Sequence, residues 1–272
     1  MLNEAVVELA SHSVSLFALA LLAFQAFAKE AGYFFGRRIA LRNENPGEGV
    51  GVVVGGMLGL LAFVLALTLS FSSARFQERR EGTLAEANGI GTAWLQAQAI
   101  GHPRGTEIAR LLEAYTQQRR VFVAADRLDP ALEEATRATN ALQSQIWGHL
   151  AAIVRERPDP AVASLMNALN TTFDLSTAER FAFALTFPPQ LFWLLVGMSA
   201  VAMSALGFQL GLRQRPLRLL TLLLLCMWTA TTTVILDMGS ARVGTIRVGT
   251  QAYDWTIQGF QGGVTIPPAP AR

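Results

Sequence analysis

The chain has 272 residues, of which 51% are hydrophobic and only 15% charged, with a formal net charge of +2 and a mean hydropathy of +0.34. Soluble domains carry about a quarter charged residues, so this composition excludes an ordinary soluble globular protein and points to lipid. The near-neutral balance excludes polyelectrolyte attraction to nucleic acid.

The first apolar run, Leu9 to Phe35, approaches the ~20 residues that cross a ~30 Å hydrocarbon core. Lys29 and Glu30 interrupt it, and Tyr33, Phe34, Phe35, Arg37 and Arg38 read as an interfacial belt beside which Lys29 can snorkel. Glu4 and Glu8, with no basic residue before the run, argue against a cleaved signal peptide. The second span, Val50 to Ser72, passes into charged sequence with no proline, so it is expected to continue beyond the bilayer as one long helix, with Gly82 as a candidate hinge.

An insert of 115 residues then follows, rich in helix formers and almost free of strand pattern. His102-Pro103, Asp129-Pro130 and Asp159-Pro160 place proline where a first helical turn accepts it, and the two aspartates can cap the exposed amides. After Pro130 the seam Leu132, Ala135, Thr139, Leu142, Ile146, His149 and Ile153 reads as a helix packed on helices. Two further spans, Leu191 to Gly211 and Leu217 to Leu236, complete the pattern.

The expected fold is therefore an all-α integral membrane protein with four transmembrane helices and a helical domain inserted between the second and third. Residues 1–72 would hold spans one and two, 73–187 the extramembrane domain, 188–238 spans three and four, and 239–272 a C-terminal tail. Basic residues near the spans tie at six on each side of the membrane; the first span, with no basic residue before it, favours an external insert.

Enzyme signatures are missing: there is no G-x-S-x-G, P-loop lysine motif, H-E-x-x-H or paired C-x-x-C. The one cysteine, Cys226, can form no intrachain disulfide, and histidines at 12, 102 and 149 are too scattered for a metal site. No enzyme activity, cofactor or metal is expected.

The spans carry the other candidates. Gly51, Gly55 and Gly59, four apart, allow close helix packing in lipid. Phe63, Leu67 and Phe71 continue at the same spacing on one broad face, and repeated around a homo-oligomer they would form apolar rings that gate by dewetting. Arg75 and Arg79 extend the row and would concentrate anions at a pore mouth. Other pore linings remain open: Ala62, Ala66, Ser70 and Ser73 form a small polar stripe, and Thr229 and Thr233 lie on a polar face of the fourth span. Asp237 needs a partner at that span's end, and Arg242 and Arg247 are the natural ones.

Two segments resemble the signature regions of a family of bacterial membrane proteins of uncharacterised function, the bestrophin-like family. One is the glycine-rich second span ending in R-F-x-x-R-R, with Arg75, Phe76, Arg79 and Arg80, followed by E-A-N, with Glu86, Ala87 and Asn88. The other is Leu236 and Asp237 followed by Gly244, Ile246, Arg247 and Val248. The family's second acidic residue and proline near that aspartate are replaced by Gly239 and Ala241. The resemblance implies kinship with bestrophins, pentameric anion channels with four spans per subunit, an apolar neck on the second span and a cytoplasmic helical domain, the opposite facing from the charge count. The expected function is thus an oligomeric channel in the bacterial inner (cytoplasmic) membrane, multi-pass, with lipid, inorganic ions and copies of itself as partners, more favourable to anions. The alternative is a non-conducting scaffold or sensor whose helical domain binds a partner.

Overall fold

In the computed structural model, residues 14–42, 49–185, 188–242 and 244–265 are described; the start of the first expected span (9–13) and Gly47 lie outside them. The described residues are helical, without strand: α1 Val14–Ala40, α2 Val50–Ala99, α3 Pro103–Ala124, α4 Pro130–Glu156, α5 Pro160–Ala184, α6 Pro189–Leu212, α7 Arg218–Gly239 and α8 Gln251–Gly262. Backbone amides in lipid find partners only within a helix or closed barrel, which is why the four apolar runs take this form. Among the described residues, four helices are long and apolar enough to cross a membrane. At 1.5 Å per residue α2, with 50 residues, is about 75 Å long, more than twice the bilayer core. It is unbroken at Gly82.

The chain divides into two compact units. One, called the membrane unit because it carries the apolar runs, comprises the described residues up to Arg75 and from 188 through Ile246; the other, called the extramembrane unit after the division expected from sequence, comprises Phe76–Leu185 and the described residues from Arg247 to 265.

In the membrane unit, Phe17, Leu21, Leu61, Leu65, Phe192, Leu195, Ala202 and Ile235 form an apolar core drawn from all four spans. Helices α1 and α6 approach each other closely. A methyl group added at Gly207 would stand 1.9 Å from the Lys29 carbonyl oxygen, and one at Gly211 2.2 Å from that of Tyr33. In return, methyls at Gly32 and Gly36 would stand 2.0 and 2.2 Å from the Ser204 and Phe208 carbonyl oxygens. Two small-residue pairs, each four apart on facing helices, thus set backbone against backbone. The expected packing row Gly51, Gly55 and Gly59 does not do this within the chain: a methyl at Gly51 would meet only side chains, of Gln209 and Arg213, and at Gly55 or Gly59 nothing within 4 Å.

Two polar residues sit deep in this unit, one of them against expectation. Lys29 does not snorkel; it is buried, with Nζ 2.7 Å from Glu30 Oε1. Gln25 is also buried, and its amide joins three spans: it lies 3.4 Å from Ser199 Oγ as donor and 3.3 Å from Thr229 Oγ1 as acceptor.

In the extramembrane unit the helix starts follow local chemistry. Asp129 accepts from the Ala131 amide at 2.8 Å and Asp159 from the Val162 amide at 2.9 Å, each ahead of an N1 proline. His102 Nδ1 does the same for Arg104 at 3.1 Å. On α4 the buried positions are Ala135, Thr139, Ile146, Leu150 and Ile153, so the seam is present, with Leu150 in place of His149. Helix α8, in the segment read from sequence as a tail, docks through Trp94 stacked on Phe260 and through the ion pair of Arg120 with Asp254 at 2.7 Å.

Candidate functional site

Within the membrane, α2 has one face turned into the bundle and a wide face turned out. Val54, Leu61, Leu65, Thr68 and Ser72 are buried at steps of seven, four, three and four. Phe63 lies about 200° round the helix from Leu61. It is 61% exposed, and Leu67 and Phe71, also exposed, border the same side. Gly55, Gly59, Ser70 and Ser73 are exposed as well, so the apolar row and the small stripe both look outward. Arg75 is half-buried, its guanidinium 5.2 Å from the centre of the Phe71 ring, within cation–π range. Arg79, expected beside it at a mouth, is buried in the extramembrane unit instead. In α7, Thr229 is buried against Gln25 of α1, whereas the Thr233 hydroxyl donates back to the Thr229 carbonyl of its own helix at 2.7 Å.

Asp237 closes the last span onto the loop that follows it. Its Oδ2 accepts from the Thr245 amide at 3.1 Å and hydroxyl at 3.0 Å, and its Oδ1 from the Ile246 amide at 3.1 Å. Arg247, expected as its partner, pairs with Asp126. The loop depends on Gly244, whose φ is +87° and whose added methyl would lie 2.1 Å from Asp237 Oδ1. Gly244→Ala combines left-handed strain with loss of these bonds, so it is expected to lower stability by about 2 kcal/mol, measurable by thermal unfolding of the detergent-solubilised chain.

The most concentrated chemistry lies in the extramembrane unit, where four helices meet on ionisable groups that are almost wholly buried. Arg119 of α3 is forked onto Glu86 of α2, with Nε 2.7 Å from Oε1 and Nη2 2.9 Å from Oε2. The same Nη2 contacts Oε2 of Glu179 on α5. Tyr253 of α8 places its hydroxyl 2.8 Å from Glu86 Oε2 and 3.0 Å from Glu179 Oε2. The Tyr115 hydroxyl donates to Glu86 Oε1 at 3.0 Å and accepts from Gln143 of α4 at 3.3 Å. Thr83 lies 2.5 Å from Glu179 Oε1.

One buried guanidinium thus serves two buried carboxyl groups, and the titration behaviour follows. Burial, then the neighbouring Glu86, pushes Glu179 up to about 8. The same two causes raise Tyr115 and Tyr253. Burial opposes the charge of Arg119, but Glu86, Tyr253 and Glu179 outweigh it and hold the guanidinium protonated. No group of three or more histidine, cysteine, aspartate or glutamate side chains among the described residues has the arrangement of a metal site.

The sequence matches the family model described as a bestrophin-like domain over residues 9–253. The chain belongs to the bestrophin-like family. This bestrophin-like chain is similar in fold to a bacterial bestrophin homologue from Klebsiella pneumoniae, with a TM-score of 0.65 and 15% identity over 91% of this chain and 98% of that one. No curated protein sequence matches it.

The residues read from sequence as resembling the family's signature separate into different environments. Glu86 is the centre of the buried cluster, whereas Asn88 and Arg80 are exposed on α2. Sequence reasoning singled out Glu86 but missed Arg119, Glu179, Tyr253, Tyr115 and Thr83. The available signal was weak: Arg119 and Glu179 sit at positions in α3 and α5 whose helical neighbours Tyr115, Phe122, Ala182 and Phe183 are buried.

Proposed function

We propose that the chain is a subunit of an oligomeric ion channel in the bacterial inner membrane, its pore lined by the outward face of α2. Membership of the bestrophin-like family supports a channel-like role. The observation that carries the reading is the open face itself. Phe63, Leu67 and Phe71 form an exposed row on a helix whose other face is committed to the bundle. Gly55 and Gly59 lie on the same open side, with space for another helix. Around a symmetric assembly, a pentamer if it follows bestrophins, the apolar row becomes a constriction that dewets when narrow; the alternative lining is the small stripe with Ser70 and Ser73, also exposed on α2. Arg75 sets its guanidinium against Phe71 at one end of this row, which favours anions over cations. Arg79, being buried, does not share that role.

The decisive experiment is reconstitution of the purified oligomer in planar bilayers with asymmetric chloride. A chloride-selective current is expected, and Phe71→Ala or Leu67→Ala should increase conductance or alter gating. Absence of current over a range of pH, voltage and calcium would overturn conduction. A monomer in both detergent and lipid nanodiscs would remove the shared pore and leave an anchored scaffold or sensor.

A further inference from the structure

The cluster around Glu86 and Glu179 contains more oxygen contacts than its hydroxyl protons can serve. Tyr253 faces two carboxyl oxygens, Glu86 Oε2 and Glu179 Oε2, with a single phenolic proton. Thr83 faces Glu179 Oε1 and also, at 3.0 Å, the carbonyl of Arg79, again with one proton. Four oxygen–oxygen contacts therefore share two hydroxyl protons. Glu86 is fully supplied with donors, since Arg119 gives it two and Tyr115 and Tyr253 one each. Glu179 is less well supplied: the Thr83 hydroxyl meets its Oε1 at 2.5 Å, a separation that suits a hydrogen bond from a protonated carboxyl, and its carboxyl also lies within hydrogen-bond reach of the Glu86 carboxylate.

We propose that this cluster is a proton-binding site, with one exchangeable proton held on Glu179 between Thr83 and Tyr253, and that release of this proton loosens α8 from the extramembrane unit. The coupling to α8 is geometric. Tyr253 bridges both carboxyl groups and is completely buried, so loss of the shared proton leaves two carboxylates facing one phenol and one guanidinium out of reach of water. Arg119 Nη1 is buried without a hydrogen-bond partner among the described residues, so this guanidinium has reach left over but none of it directed at Glu179 Oε1.

The neighbours on every packed element fit this assignment. On α2 these are Glu86 and Thr83, with Arg79 buried one turn earlier; on α3, Tyr115, Arg119 and Arg120; on α4, Gln143; on α5, Ser176; on α8, Tyr253 and Asp254. Arg120 and Asp254 pair with each other at the half-exposed edge. The site stands whether or not the spans conduct.

The pH window follows from linkage. The folded cluster holds the proton up to about 8, whereas an exposed glutamate releases it near 4.5. Between those values the docked state binds more protons than the opened one, so α8 is held most firmly at the acidic end, loosens as pH rises through the window, and loosens no further above about 8. A full one-proton difference changes the opening equilibrium about tenfold per pH unit.

Two measurements on the full chain in detergent test this. Infrared titration of the wild type should show a protonated carboxylic acid band that disappears with a midpoint near 8 and is absent from Glu179→Gln. A wild type with no such band at neutral pH, or a band that survives in Glu179→Gln, would overturn the assignment. Limited proteolysis within α8, compared at each pH between wild type and Glu179→Gln, should give an opening ratio that climbs toward tenfold per pH unit across the window. An identical pH dependence in the two proteins would overturn the coupling. Should Glu179→Gln fail to fold, Tyr253→Phe separates the two claims: the acid band should persist while α8 opens more readily and with a flatter pH dependence, and an unchanged α8 would sink the coupling.

Discussion

Arg119→Ala is expected to be the most destabilising substitution in the extramembrane unit, lowering its stability by about 3 to 5 kcal/mol. The residue is completely buried, and its removal leaves Glu86 without two charge-assisted bonds and Glu179 without the guanidinium on its Oε2. The loss is larger than the pair's net contribution to folding, because the penalty is that of carboxyl groups stranded away from water. Thermal unfolding of the full chain measures it. The informative control is the double variant Arg119→Met with Glu86→Gln, in which the buried charges disappear together. It should be less destabilised than Arg119→Ala, since the effects of contacting groups do not add. A double variant as unstable as the sum of its parts would mean that the two side chains act independently.

Gly207→Ala should have an effect of similar size in the membrane unit, about 3 kcal/mol or failure to assemble. Its methyl would lie 1.9 Å from the Lys29 carbonyl oxygen. A side-chain neighbour could rotate away, but a carbonyl within a helix is fixed by its own hydrogen bond, so α1 and α6 must move apart. Gly59→Ala is the matched comparison. Nothing lies within 4 Å of its added methyl, and alanine is the better helix former by about 1 kcal/mol, so the protomer should keep its thermal stability. If α2 packs against a second copy there, Gly59→Ala will weaken the oligomer on a native gel or in mass photometry while leaving the subunit folded. Equal loss of subunit stability from both substitutions would contradict this packing of α1 on α6.

The two glycine rows show where sequence reading reached its limit. Gly51, Gly55 and Gly59 stood out because four-residue spacing inside an apolar run is conspicuous, and the same spacing in Gly32 and Gly36 or Gly207 and Gly211 was passed over amid less regular composition. Spacing shows that a helix has a flat side; which flat sides meet depends on where the other spans lie. Phe63, Leu67 and Phe71 were legible as one face for the same reason, but their turning away from the bundle is a property of the packed unit. The helix starts at Pro103, Pro130 and Pro160 were readable because a cap and an N1 proline are settled by adjacent residues.

The sequence by itself determined the all-helical, four-span character, the long α2 and the division of the insert into helices, because hydropathy, helix propensity and capping act over one to twenty neighbouring residues. Only tertiary structure decided that Glu86, Arg119, Glu179 and Tyr253 share one buried centre, since the partners bonded to Glu86 lie 33 and 167 residues from it in the chain and each alone looks like an ordinary polar residue on a helix. It also moved Arg79 from a supposed pore mouth into the interior and gave Asp237 a loop backbone to bind. The physical reason is the same in each case. A charged side chain is stable out of water only if its partners arrive together, and that meeting is specified by how the helices pack, not by the sequence around any one of them.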